Sequence, residues 1–107
     1  MQKADFQQRV EALVPGVVVV LDDYLKPGNY SADMYMNGRW VHVDFIYGKF
    51  LVTDLTPPKG VGSGYGEGCD TVFEGVDAVE KTLEEVARIL SAPLAVTEVS
   101  LSAIGVL

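Results

Sequence analysis

The chain has 107 residues, of which 49% are hydrophobic, and this is enough for one globular domain with a single core. The net charge of −7 gives a surface that repels phosphate backbones, so we expect no direct binding of nucleic acid. No apolar run approaches the ~20 residues of a membrane-spanning helix, and the single cysteine excludes an internal disulfide, so we expect a cytoplasmic protein without membrane attachment.

An amphipathic helix over residues 4–14 is the first predicted element. Apolar residues recur there at helical spacing, and Pro15-Gly16 ends the helix. The run VVVVLDDY follows from residue 17. Because it is short, β-branched and apolar on both faces, it predicts a strand in the centre of a sheet. A turn at Pro27-Gly28 separates it from the next strand.

The stretch YSADMYM-NG-RWVHVDFIY predicts a β-hairpin. Asn37-Gly38 is typical of a type I′ turn, which requires positive φ at both central residues, and a two-residue loop fixes the strand register. In this register Tyr35 faces Trp40 and Asp33 faces His42 on one side of the hairpin. The alternate residues form an apolar face. A second tight turn then leads into the strand FLVTDLT.

A glycine-rich loop, PPKGVGSGYGEGCD, occupies residues 57–70, with a glycine at every second position of residues 60–68. This spacing fits neither a Walker A loop nor a dinucleotide-binding loop, and the acidic Glu67 and Asp70 oppose a phosphate. We therefore expect either a flexible loop over a sheet edge or an adaptable contact loop. In the second case Tyr65 would anchor a partner.

A second helix is predicted from Asp77 to about Leu90, after a short strand at TVF. Asp77 and Glu80 have the spacing of a capping box. Residues 94–107 fit either an edge strand or a short helix.

These elements predict one α+β domain over residues 1–107. An antiparallel four- to five-stranded sheet, a meander with the Asn37-Gly38 hairpin, packs with the N-terminal helix and a longer helix in the C-terminal half. The predicted core comprises Phe6, Val10, Leu13, Val18, Val20, Met34, Val41, Val43, Phe45, Val52, Val79, Leu83, Val86 and Leu90.

His42 is the only histidine, and the predicted register places Asp33 across from it and Asp44 two residues along the same face. An Asp–His pair can act as a general base, but no nucleophile is clearly placed beside it. One histidine and two carboxylates are also a thin set of metal ligands. We favour a structural hydrogen bond or salt bridge, and we expect no metal, no cofactor and no enzymatic activity. The alternative is a small enzyme or ligand-binding domain that uses these three residues.

The negative charge is concentrated in the second half of the chain, where residues 61–107 contain eight acidic and two basic residues. Such a surface attracts a basic protein, for example a toxin or a nucleic-acid-binding protein, and aromatic side chains typically anchor the contact. The candidate partner-binding residues are Tyr35, Trp40, Tyr65, Glu67, Asp70, Glu74, Asp77, Glu80 and Glu84.

Small, acidic, single-domain proteins without cofactors include bacterial immunity proteins, antitoxins and phage inhibitors of host defence. By composition alone, the chain is therefore predicted to be an inhibitor that occludes a basic surface on its partner. A self-associating structural subunit is the other possibility, because the apolar C-terminal sequence AIGVL has to be buried in the core or in a homodimer.

Overall fold

A computed structural model of the chain describes residues 1–56 and 70–92. The predictions for the glycine-rich loop, including Tyr65 and Glu67, and for residues 94–107 lie outside this part. The elements are α1 (Lys3–Leu13), β1 (Val18–Asp23), β2 (Tyr30–Met36), β3 (Arg39–Ile46), β4 (Lys49–Asp54), β5 (Asp70–Phe73) and α2 (Ala78–Ser91). The strands form one antiparallel sheet in the order β1-β2-β3-β4-β5, which confirms the predicted α+β fold.

The hairpin of β2 and β3 has the predicted register. Asn37 and Gly38 have φ of 48° and 81°, as a type I′ turn requires. Tyr35 therefore pairs with Trp40, and Asp33 pairs with His42. Tyr47 and Gly48, with φ of 50° and 79°, form a second turn of the same kind between β3 and β4, so the three central strands form a tight meander.

Both helices pack on the apolar face of this meander. Phe6 of α1 stacks on Phe50 of β4 with ring centroids 5.9 Å apart, and α2 lies mainly over β3 and β4. The largest fully buried apolar side chains at this layer boundary are Phe6, Val10, Met34, Val41, Val43, Phe50, Val52, Leu83 and Val86. Burial of this layer is the main source of stability for a domain of this size.

The prediction for β1 is wrong in position. It is the edge strand of the described sheet rather than a central strand. Val17 is buried, whereas Val18, Val20 and the α1 residue Leu13 are exposed, although all three exposed residues were predicted to be in the core. Strand alternation explains the two valines, because only every second side chain of β1 can point toward the helices.

The start of α2 also differs from the prediction. The helix begins at Ala78, and Asp77 precedes it with φ −92° and ψ 4°. The Asp77 side chain makes no capping hydrogen bond, because its backbone is not in the extended conformation that directs an N-cap side chain toward the first turn. The predicted capping box is therefore absent.

Candidate functional site

The face of the sheet opposite α1 and α2, called here the open face, carries most of the polar chemistry of the strands. Successive strand residues point to opposite faces, so the residues between the buried ones project here. Side chains from β2, β3 and β4 form a polar centre, and exposed valines of β1 and β5 flank it. The residues of the polar centre are Ser31, Asp33, His42, Asp44 and Thr53.

His42 lies between two carboxylates in what we call the aspartate–histidine cluster. Its Nδ1 is 2.8 Å from Oδ1 of Asp33, and its Nε2 is 2.9 Å from Oδ1 of Asp44. A carboxylate only accepts hydrogen bonds, so both ring nitrogens must donate, and this requires the doubly protonated imidazolium. The cluster is an ion triad with two negative charges and one positive charge.

The electrostatics agree with this protonation state. Burial by itself lowers the pKa of His42, but the hydrogen bonds to Asp44 and Asp33 outweigh burial and raise the pKa to about 9. Burial likewise acts to raise the pKa of Asp44, yet hydrogen bonds from His42 and Tyr24 bring it below its ordinary value. At neutral pH the imidazole has no lone pair available, either for a proton or for a metal ion.

Tyr24 was not foreseen as a member of this site. It follows β1 directly, and its hydroxyl donates to Oδ1 of Asp44. The backbone N–H of Tyr24 donates to the carbonyl oxygen of Asn29 at 3.1 Å, which holds the turn in place. The contact spans 20 residues, and no local spacing in the sequence indicates it.

An aromatic pair, Tyr35 and Trp40, lies beside the cluster on the open face. The two rings stack with centroids 5.7 Å apart and an interplanar angle of 26°. Trp40 Nε1 donates to Oδ1 of Asp33 at 2.8 Å, and its backbone N–H donates to Oγ1 of Thr56 at 3.0 Å. The indole is therefore held by its stacking on Tyr35 and by its hydrogen bond to Asp33, while the bond to Thr56 holds the backbone of Trp40.

In the described part of the chain, the second oxygens of Asp33 and Asp44 have no hydrogen-bond donor. Oδ1 of Asp33 accepts from both Trp40 and His42, and Oδ1 of Asp44 accepts from both His42 and Tyr24. Within residues 1–56 and 71–92, Oδ2 of either aspartate accepts no hydrogen bond. Both carboxylates are partly exposed, so each can accept a hydrogen bond from a cation that reaches the open face.

An open depression of about 460 Å³ adjoins the aromatic pair at the hairpin end of the sheet. It is lined by both rings together with Val18, Met36 and Arg39. Nε of Arg39 donates to the carbonyl oxygen of Ala92 at 3.0 Å, so this guanidinium is tied to the end of α2. The depression combines apolar walls with a polar edge, which is typical of a contact surface.

Of the predicted acidic residues of the second half, Glu80 and Glu84 of α2 do not join this surface, whereas Asp70 of β5 is in register with Thr53 of the polar centre. Glu80 and Glu84 line a groove of about 700 Å³ between α1 and α2, on the helix side of the sheet. Glu80 is paired with Arg9 at 2.8 Å, and Glu74 lies 3.5 Å from Nζ of Lys49. One flat partner surface cannot contact both the aromatic pair and this groove, because the sheet lies between them.

The two remaining described candidates for partner binding, Asp70 and Asp77, lie at the start of β5 and just before α2. Asp77 is exposed in the short connection before α2, and Asp70 is the first residue of β5.

In the described part of the chain, neither helix is long and apolar enough to cross a membrane. That part also contains no group of three or more His, Cys, Asp or Glu side chains with the geometry of a metal site. Comparisons with protein-family models, curated proteins and solved structures found no match.

Proposed function

We propose that the protein is a non-enzymatic inhibitor that binds a basic protein partner through the open face and occludes the partner's cationic surface. The observation that carries this proposal is the rigid aromatic pair next to carboxylates that each keep one oxygen for another donor. Exposed aromatic residues with nearby hydrogen-bonding groups are typical of the energetic centres of protein interfaces.

The chemistry favours a lysine or arginine of the partner. A guanidinium over the indole of Trp40 gains about 0.5–2 kcal/mol from the cation–π interaction. The same group can donate to Oδ2 of Asp33, and hydrogen bonds between charged groups are the stronger kind. Among residues 1–56, three carboxylates, those of Asp22, Asp33 and Asp44, project on this face together with the imidazolium of His42.

The state of His42 favours binding over catalysis. A general base needs a free lone pair, whereas both nitrogens of this imidazole donate to carboxylates. The raised pKa keeps the ring protonated at neutral pH. We therefore assign His42 a structural role, which is to hold Asp33 and Asp44 in fixed orientations for the partner.

The net charge of −7 contributes at longer range. It accelerates the encounter with a basic protein, and the effect decreases with added salt. Glu74, Asp77, Glu80 and Glu84 are proposed to act in this way rather than by direct contact with the aromatic pair. The contacts predicted for Tyr65, Glu67 and Asp70 stay predictions.

The test uses two tyrosines as a matched pair. Tyr35 on the open face is 39% exposed, and Tyr47 in the β3–β4 turn is 72% exposed. We expect Tyr35→Lys to weaken binding at least about tenfold, since like charges at an interface cost more than the 1.4 kcal/mol of a tenfold change. Tyr47→Lys adds the same charge away from the aromatic pair and is expected to bind nearly as well as the unchanged chain.

Immobilised full-length protein and the two variants would be used to capture proteins from cells of the source at low and moderate salt. Captured proteins would be identified by mass spectrometry. Each purified candidate would then be titrated against the protein in solution, with the fluorescence of Trp40, the only tryptophan, as the signal. A basic partner that Tyr35→Lys loses and Tyr47→Lys keeps supports the proposal. Equal retention by all three proteins, or a partner without a basic surface, refutes it.

A further inference from the structure

The edge strand β1 has a composition that does not match its position. Val18 and Val20 project on the open face and are exposed, while Val19 and Leu21 project toward the helices and are half-buried. A strand that is apolar on both faces is typical of a position with neighbours on both sides. In the described sheet β1 has one neighbour, β2.

Several usual protections of a sheet edge are absent from β1, whose charged residues are confined to Asp22 and Asp23 at its end. Residues 17–23 contain no proline and no lysine, and the six pairs of β1 with β2 run without a bulge. The one protected point is the end of the strand, where Nζ of Lys3 lies 2.6 Å from Oδ2 of Asp23. Within residues 1–56 and 70–92, no strand pairs with the outward N–H and C=O groups of alternate β1 residues, which a second strand could therefore pair with.

We propose that a second copy of this chain pairs antiparallel with β1 about a two-fold axis perpendicular to the sheet. Directly opposed residues of an antiparallel pair project on the same face of the sheet. The two-fold axis must therefore lie between one residue and the same residue of the second copy. Centring the axis on Val20 overlaps residues 18–22 of the two β1 strands. Val20 then meets Val20 of the second copy, and Leu21 meets Val19 of the second copy.

The charges of β1 fit this arrangement. Asp22 falls opposite Val18 of the second copy, so the two Asp22 carboxylates are separated by four residues along the strand. At about 3.4 Å per residue this is roughly 14 Å, which exceeds the Debye length of about 8–10 Å. The apolar residues coincide at the centre and the acidic residues stay apart, so the strand is complementary to itself.

The resulting assembly joins the five described strands of each copy into one continuous sheet. Because the axis is perpendicular to the sheet, both open faces lie on the same side and both helix layers on the other. The valines of the two β1 strands form one apolar strip between the two aromatic pairs. This inference does not depend on the proposed function.

The test compares two valines with the same exposure on the same face. Val20 of β1 and Val72 of β5 are each 52% exposed, and they lie at opposite edges of the sheet. Sedimentation velocity of the full chain from about 1 µM to about 500 µM is expected to show a monomer–dimer equilibrium. Val20→Lys opposes two lysines across the axis and should weaken the dimer at least about tenfold, while Val72→Lys should leave it unchanged.

A cross-linking experiment keeps the proposal testable if Val20→Lys does not fold. In a Cys69→Ser background, Val20→Cys places two thiols opposite each other at the axis, where Cβ atoms are about 4.5–5.5 Å apart. Oxidation should join two copies through Val20→Cys and not through Val72→Cys. A monomer at every concentration, equal loss in both lysine variants, or a dimer linked through Val72→Cys overturns the proposal.

The salt dependence separates this association from binding of a basic partner. Two chains that each carry −7 repel one another, so raising the salt concentration should tighten the dimer. The same change should weaken binding to a basic protein. A dimer that forms while no basic partner is found would support this inference and refute the proposed function. A basic partner that binds a chain that stays monomeric would support the proposed function and refute this inference.

Discussion

Raising the pH above neutrality should destabilise the protein through the deprotonation of His42. The imidazolium is held between Asp33 and Asp44 in the folded state, and its pKa is raised from 6.5 to about 9. A group whose pKa is raised on folding stabilises the folded state below its unfolded pKa. That contribution is lost as the pH passes through the folded value. The window of the effect therefore runs from about pH 6.5 to somewhat above pH 9.

The size of the effect follows from the shift. The His42 side chain is 9% exposed, so solvent screens it little. A pKa raised from 6.5 to about 9 corresponds to about 3 kcal/mol, because a tenfold change in a protonation equilibrium is worth about 1.4 kcal/mol. Asp44 does not contribute to the loss of stability between pH 6.5 and about pH 9. Its pKa is lowered, so its contribution is already complete above its ordinary value and is lost only in acid.

The assay is urea unfolding at a series of pH values, followed by the fluorescence of Trp40. We expect the free energy of unfolding to fall by about 3 kcal/mol between about pH 6 and about pH 10. His42→Gln removes the titrating group, so it should be less stable at the lower pH and should show no loss over this window. NMR of the imidazole nitrogens would measure the pKa directly. A titration midpoint near 6.5, or a flat stability profile in the unchanged protein, would refute the ion triad.

Three further outcomes follow from the packing and the turns, each measured by urea unfolding. Leu83→Ala should lose about 2–5 kcal/mol because the side chain is buried, while the fully exposed Leu25→Ala should lose less than about 0.5 kcal/mol. Gly38→Ala should lose about 1 kcal/mol or more, since Gly38 has φ of 81°. A double-mutant cycle on Arg9 and Glu80 should give a coupling below about 1 kcal/mol, because both side chains are exposed. A larger coupling would mean that the groove between the helices is less hydrated than its exposure indicates.

Local rules account for the correct parts of the prediction. The hairpin register depends on two residues, Asn37 and Gly38, and once the register is set Asp33 must lie opposite His42. The helices were found from the spacing of their apolar residues, within a residue or two at each end. The capping prediction at Asp77 failed because a cap depends on the backbone conformation of a single residue, and spacing does not report that conformation.

The open face shows where local rules stop. Alternation indicates that the hairpin has an apolar face and a polar face, and it predicted the aspartate–histidine cluster. It could not show that Trp40 donates to Asp33 or that Tyr24 reaches Asp44, because these contacts depend on side-chain orientation and on the path of the β1–β2 turn. Nor could it show that Arg9 pairs with Glu80 across 71 residues of chain.

The sequence by itself determined the class of the fold, the central hairpin with its register, and the pairing of His42 with aspartates. These features follow from contacts between residues close in the chain, where turn geometry and side-chain period leave one solution. Only the tertiary structure decided that β1 is at the edge of the described sheet and that the α2 carboxylates are separated from the aromatic pair. Those features depend on which surfaces the helices bury, and many strand orders are compatible with the same local pattern.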